Sequence, residues 1–364
     1  MNVLVVGGGI IGCASAWELA RAGCTVTLVE RGQPGAEASG AAAGLLAPMG
    51  ESSRTAFQAL AVASWRLFPE VVRALRDATG VDAEHVTRGT VYPLHGDVER
   101  EAGAWTGIPG LTAELWDRKA IDAREPALSP RVRHAVFVAG DHWINNQRLV
   151  LAYAQAAVAA GVRLVTGREV SRLLVEGGRA RGATIGGARL EADAVVVAAG
   201  AWSGALLAGA GVEAPVEPRR GQMVALAHVP PLLTHCVHGE VYLVPRPSGE
   251  LLVGATVEDA GFARAVTAEG VGWLLAGAID LVPALAGAAI ARTWCGFRPW
   301  APDGLPLLGP WPGIEGLLIA TAHYRNGILL APITARLVRE WIVEGRPSLD
   351  VTDFRPDRFV RSGA

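Results

Sequence analysis

The chain has 364 residues, with 33 lysines and arginines against 35 aspartates and glutamates and a net charge of −2. That length holds two domains and an ample core, and the near-neutral balance supplies no basic field for nucleic acid. The four cysteines, Cys13, Cys24, Cys236 and Cys295, form no CxxC pair or regular spacing, which argues against a zinc site or a disulfide framework and for a reducing compartment.

The first thirty residues read as one phosphate-binding unit. Val3 to Val6 is an apolar run of strand length, Gly7-Gly8-Gly9-Ile10-Ile11-Gly12 follows at once, and Cys13 to Ala22 carries helix formers before Gly23. A second strand, Thr25 to Val29, ends on Glu30. Glycines between a strand and a helix, with an acid about twenty residues on, are the pattern of a dinucleotide site. Gly7 allows the tight turn, Gly9 has no β-carbon to hold a pyrophosphate away, and Gly12 lets helix and strand pack closely. The helix amino terminus then offers unpaired N–H groups to the phosphates, and Glu30 can accept hydrogen bonds from both ribose hydroxyls. No basic n-region precedes an apolar h-region, so a cytoplasmic chain without a secretory signal is expected.

After a turn at Gly32-Gln33-Pro34-Gly35, the small residues of the stretch from Ala38 to Pro48 let backbone press against something flat, and this favours flavin over nicotinamide. Phe57 to Thr79 is expected to form one amphipathic helix. A strand follows around Thr90 to Leu94, then a proline-punctuated region to Pro130 in which Trp105 and Trp116 read as ordinary aromatics. Lys119, the only lysine, lies in this charged stretch and leaves little scope for Schiff-base chemistry. Asn146 to Ala160 reads as a helix, Val162 to Val165 as a strand returning to the first sheet, Val170 to Leu190 as a small β-meander, and Asp193 to Gly200 as a buried strand.

Gly221 to Val229, Val241 to Pro245 and Leu251 to Ala255 alternate as antiparallel strands of a second sheet. Gly270 to Ala291 is apolar apart from Asp280, but Pro283 divides it, so a partly buried helix is expected there instead of a membrane segment. The chain closes with a strand at Gly316 to Thr321, a loop at His323 to Gly327 and a helix from Ile328 to Glu344. The fold class is therefore α/β: a Rossmann-like FAD-binding domain (1–84, 146–215 and 302–364) interleaved with an antiparallel-sheet substrate domain (85–145 and 216–301). His235 and His238 leave two readings open, a metal pair or solvated histidines at a strand edge, and His323 reads as structural.

These pieces together resemble the FAD-dependent D-amino-acid oxidase superfamily, and within it the glycine oxidase branch associated with thiamine biosynthesis. The resemblance covers nearly the whole chain. It is carried by GGGIIG at Gly7 to Gly12, AAAGLLAP at Ala41 to Pro48, VYLVPR at Val241 to Arg246, GFRPWAPDGLPLLG at Gly296 to Gly309 and HYRNGILLAP at His323 to Pro332. It implies FAD contacts at Ile10, Ile11, Glu30, Arg31, Ala38, Ser39, Ala43, Gly44, Leu45, Val170 and Gly304, and along His323, Tyr324, Arg325, Asn326, Gly327, Ile328 and Leu329. It also implies that Arg298 takes a substrate carboxylate as a two-pronged salt bridge, that Tyr242 hydrogen-bonds the same carboxylate, and that Arg325 is a second arginine beside flavin and substrate.

A guanidinium fork suits a carboxylate and is costly to bury without one, although an ion pair with Asp303 would also account for Arg298. Glu240 and Val257 depart from the residues the branch carries at pocket positions, which leaves the substrate range open. Relatives acting on sarcosine tether FAD through a cysteine at the position of Gly296. Cys295 is one residue off and on a strand faces the other way, so non-covalent FAD is expected.

The implied activity is oxidation of glycine, sarcosine or short D-amino acids to the imine or 2-oxo acid, with O2 reduced to hydrogen peroxide. The implied partners are the amino acid, O2 and a thiazole synthase receiving the imine; no metal, nucleic acid or stable membrane insertion is expected, and a homo-oligomer is left open. A membrane-associated dehydrogenase passing electrons to quinone and a flavoprotein component of a larger modifying assembly remain as alternatives.

Overall fold

The computed structural model describes residues 1–49, 55–103, 105, 111–227 and 232–360. In chain order the elements that position the site begin with β1 (Asn2–Val6), α1 (Ile10–Arg21), β2 (Thr25–Val29), α2 (Thr55–Trp65), α3 (Phe68–Thr79), β3 (Thr90–Pro93), β4 (Ala113–Trp116) and β5 (Ala135–Val138). They continue with α4 (Asn146–Ala159), β6 (Arg163–Val165), β7 (Ala194–Val197), β8 (Glu217–Ala227), β9 (Cys236–His238), β10 (Tyr242–Pro245) and β11 (Leu251–Gly254). The last are α5 (Ala268–Leu281), β12 (Ala289–Trp300), β13 (Leu307–Pro310), β14 (Leu317–Thr321) and α6 (Gly327–Val343).

Six strands form the first sheet in the order β13-β14-β7-β1-β2-β6, parallel except for β13. A parallel strand buried on both faces needs an unbroken apolar run, and β1 supplies one. Val3 and Val5 pack with α1, α4 and α6, while Leu4 and Val6 face the three-stranded meander of Val170–Glu176, Arg179–Ile185 and Ala188–Glu191. The second sheet has eight strands in the order β12-β8-β11-β10-β9-β3-β5-β4. Its inner strands alternate: Val224 and Leu226 of β8 join the core under α5, while Met223 and Ala225 turn to the opposite face with Trp143 and Ala43. Segments of the chain before and after β8–β12 build the first sheet, so the two sheets interleave in sequence.

Most local expectations match their elements, with two corrections. The single helix expected over Phe57 to Thr79 is two helices, α2 and α3, because Pro69 stands in the first turn of α3. Proline has no N–H to donate backward and its ring crowds the preceding turn, so it starts a helix instead of continuing one. The strand expected from Gly221 begins earlier, at Glu217, and runs to Ala227; its expected end at Val229 lies outside the described residues. Thr267 caps α5, which ends at Leu281, two residues before Pro283. Among the described residues no helix is long and apolar enough to cross a membrane.

Pro332 lies inside α6, where it interrupts the hydrogen-bond ladder. On the next rung the Ser64 hydroxyl from α2 donates to the Leu329 carbonyl at 2.6 Å and accepts from the Ile333 N–H at 3.2 Å. Ser64 is fully buried. Ser64→Ala removes the bridge from two buried backbone groups and is expected to destabilise the protein by about 2 kcal/mol. A melting temperature equal to wild type would mean that the ladder closes by itself.

Candidate active site

A cleft of about 520 Å³ runs between the two sheets. Its walls come from the α1 amino terminus, the 37–47 segment, the carboxyl ends of β1 and β7, residues of β8 and β10, the 296–299 stretch of β12, and the loop before α6. The carboxyl edge of a parallel sheet is where α/β folds place ligands, because loops there can diverge without disturbing the ladder.

Gly7 turns with φ +106°, and a β-carbon on it would sit 2.4 Å from the Ala198 carbonyl oxygen. Gly9 is the N-cap of α1 and has no side chain to satisfy the first turn. Ser39, far along the chain, satisfies it instead, its hydroxyl oxygen accepting from the Ile10 N–H at 2.9 Å. The Glu30 carboxylate accepts from the N–H of Gly8 at 2.7 Å and of Gly32 at 2.7 Å. It thus holds the glycine loop in place, and each oxygen keeps a further lone pair for a ribose hydroxyl. Arg31 pairs with Glu37 at 3.1 Å and lies 3.7 Å from the centre of the Trp202 ring.

At the opposite end, the loop after β14 bends sharply. Ala322 and Tyr324 both adopt positive φ, and the Tyr324 N–H donates to the Pro299 carbonyl at 2.8 Å. His323 is buried with Nε2 against the Thr334 hydroxyl at 3.0 Å, and burial pushes its pKa down to about 3. It is neutral at ordinary pH and serves the loop. Asn326 and Gly327 then open α6 on the cleft wall, so the positive end of that helix points into the cleft.

Arg298 on β12 and Tyr242 on β10 reach the same cavity. The Arg298 guanidinium donates to the Thr256 carbonyl at 2.9 Å, and among the described residues it pairs with no carboxylate. The ion pair with Asp303 that would have made it structural does not form, since Asp303 binds Arg358 at 2.8 Å. The Tyr242 hydroxyl lies 3.3 Å from the Met223 sulfur. Arg325 is exposed at the rim, and its charge, after burial, helps push the His238 pKa down to about 4.

Gly7, Gly9, Ile10, Ile11, Glu30, Arg31, Ala38, Ser39, Ala43, Gly44, Leu45 and Val170 thus share one wall system with the 323–328 loop. Gly12, Gly304 and Leu329 do not line it. Gly12 lies behind the glycine loop, where a β-carbon would meet the Gly7 carbonyl oxygen at 1.8 Å. Gly304 shapes a turn with φ +73°, and Leu329 is buried in the helical core. Glu240 and Val257 are both exposed and off the cleft wall, so neither departure alters the cavity directly. Trp300 is also off it, stacked under Arg219 at 4.0 Å. Trp202, Met223 and Phe297 are wall residues that no local pattern announces.

The reading of solvated histidines is corrected. His235 sits against buried Glu125, and His238 is half-buried with Nδ1 unpartnered among the described residues. The His235 ring packs against Trp116 and Phe137 and the His238 ring against Tyr92 and Tyr242, so the two lie in different surroundings. Among the described residues no group of three or more histidines, cysteines or acids could hold a metal ion.

A family model described as FAD dependent oxidoreductase (DAO) matches residues 2–341. Glycine oxidase of Pseudomonas putida is 37% identical over 98% of both chains. The bifunctional protein ThiO/ThiG of Trichormus variabilis is 37% identical over 100% of this chain and 56% of its own length. The crystal structure of glycine oxidase from Geobacillus kaustophilus superposes with a TM-score of 0.94 at 35% identity, covering 98% of each chain.

Proposed function

Because the chain belongs to the DAO family of FAD-dependent oxidoreductases, we propose that it oxidises glycine and other small amino acids, glycine plus O2 and water giving glyoxylate, ammonia and hydrogen peroxide. The cleft fits FAD on its own geometry. The glycine loop leaves no room for β-carbons at Gly7 and Gly12, Glu30 retains acceptors beside it, and the α6 amino terminus faces the far end. Glu30, Ser39 and the first turn of α1 would hold the adenosine and phosphate portion, and the segments at 43–45 and 323–328 the flavin portion. Bound FAD supplies a two-electron acceptor.

The observation that carries the substrate reading is Arg298, a partly buried guanidinium in the cleft that pairs with no carboxylate among the described residues. A charge in that setting calls for an anionic partner from outside. Arg298 presents its fork to a carboxylate and the Tyr242 hydroxyl donates to the same group, so the α-carbon is held at one place and one orientation. The amine enters neutral, and its lone pair assists loss of hydrogen from the α-carbon, so no wall residue is assigned the part of a base. Arg325 at the rim adds positive charge that favours acidic substrates. Cys295 is off the cleft wall where Gly296 lines it, which supports dissociable FAD. The likeness to ThiO/ThiG supports delivery of the imine to a thiazole synthase.

The test is a panel of glycine, sarcosine and short D-amino acids on FAD-loaded protein, read by anaerobic loss of flavin absorbance and by peroxide in air. Glycine should bleach the flavin and yield peroxide. No bleaching with any member would overturn the reading, and bleaching without peroxide would replace O2 with another acceptor.

A further inference from the structure

Four neighbouring strands, β12-β8-β11-β10, carry Arg298 and Tyr242 on the two outer members. Adjacent strands lie about 4.8 Å apart, so these side chains must cross the inner strands to serve one ligand. Tyr242 crosses at Gly254: the register pairs Tyr242 with Gly254 and Gly254 with Met223, placing the three in a row on the cleft side of the sheet. The hydroxyl of Tyr242 thereby reaches the sulfur of Met223, two strands away, at 3.3 Å. Arg298 makes the opposite reach, over Gly221 of β8 to the Thr256 carbonyl just past β11.

We infer that Gly254 is a positioning residue for the substrate carboxylate, because its bare backbone is the slot in which the Tyr242 ring lies. A β-carbon there would stand 2.4 Å from Tyr242 Cε2, 2.5 Å from Cζ and 2.4 Å from the Met223 sulfur. No non-bonded carbon tolerates such a distance, and a ring cannot shorten to avoid it. Met223 has a flexible chain and can yield; the phenol must lift away, carrying its hydroxyl from its place on the cleft wall it shares with Arg298. At Gly221 the same addition would meet the terminal atoms of Arg298, at 2.2 Å from Nη1, and these sit on a long flexible stem. The restrictive position is therefore Gly254, whose φ lies outside the left-handed region and whose added methyl would meet a rigid ring.

This inference rests on the carboxylate reading of Tyr242, and the test separates the two. In FAD-loaded protein, Gly254→Ala is expected to raise KM for glycine about tenfold with kcat changed less than about threefold, and to weaken acetate binding, followed by the flavin spectrum, by about the same factor. In a Tyr242→Ala background the ring is gone, so adding Gly254→Ala should change neither quantity further. If Tyr242→Ala alone leaves KM unchanged, the carboxylate reading of Tyr242 fails and the role of Gly254 fails with it. If Tyr242→Ala raises KM but Gly254→Ala does not, or if Gly254→Ala does equal damage in both backgrounds, the positioning role is wrong while the carboxylate reading survives. Should Gly254→Ala fail to fold, Tyr242→Ala in the same chain should restore folding and FAD binding, because the methyl then has no ring to meet; a double variant that also fails to fold overturns the positioning role.

Discussion

Replacing Arg298 by alanine is expected to raise KM for glycine by on the order of a hundredfold while the protein still binds FAD. Two charge-assisted hydrogen bonds to a carboxylate contribute about 3 kcal/mol in a partly desolvated site, and that is a factor of about one hundred in affinity. Within the protein the guanidinium is held by one bond to the Thr256 carbonyl, so its removal strips little from the fold. Arg298→Lys keeps the charge but loses the fork, and should fall between the two. Steady-state kinetics with the flavin spectrum as control reads all three. Unchanged KM in the alanine variant would remove Arg298 from the carboxylate site and with it the main support for an amino-acid substrate.

The legible part of this chain is the part whose signals are local. The run Val3 to Val6, the glycines and Glu30 lie within thirty residues, and each is explained by its immediate neighbours. Thr25 to Val29, the meander and α4 likewise carry their own periodicity. Pro69 is equally local, yet an apolar stripe running through it masks a helix start. The stripe records which side is buried; it does not record whether the backbone is continuous.

The convergence of Tyr242 and Arg298 has no such signal. They lie 56 positions apart in the numbering, and only the strand order of the second sheet brings them together. Resemblance to a family supplied them, and it also supplied Leu329, which the structure places in the core. Helical spacing would have warned of that, since Leu329, Leu330 and Ile333 all turn to the same buried cluster. Met223 and Trp202 reach the cleft through sheet register and a short turn after β7, neither of which a single strand reveals.

The second large effect is expected at Gly12, and it falls on folding and cofactor together. An alanine methyl would lie 1.8 Å from the Gly7 carbonyl oxygen and 3.6 Å from the Ala198 β-carbon. The first of these is backbone at the tip of β1, so relief requires α1 to withdraw from the strand. That helix buries Cys13, Ala14, Ala16, Trp17 and Leu19, and its displacement disturbs the main core. Overpacking against backbone costs about 3 kcal/mol. The same shift opens the glycine loop, which removes the stabilisation that bound FAD gives the native state, a further loss of about 3 to 4 kcal/mol when the cofactor is in hundredfold or greater excess over Kd. Gly12→Ala should therefore purify colourless, melt below the wild-type apoprotein and gain nothing from added FAD. Gly272→Ala is the control: that exposed position in α5 has open space around it, and the same methyl should be neutral or slightly stabilising there. A yellow Gly12→Ala protein with wild-type melting would show that the close approach of α1 to β1 is dispensable, and that the loop holds FAD by some other means.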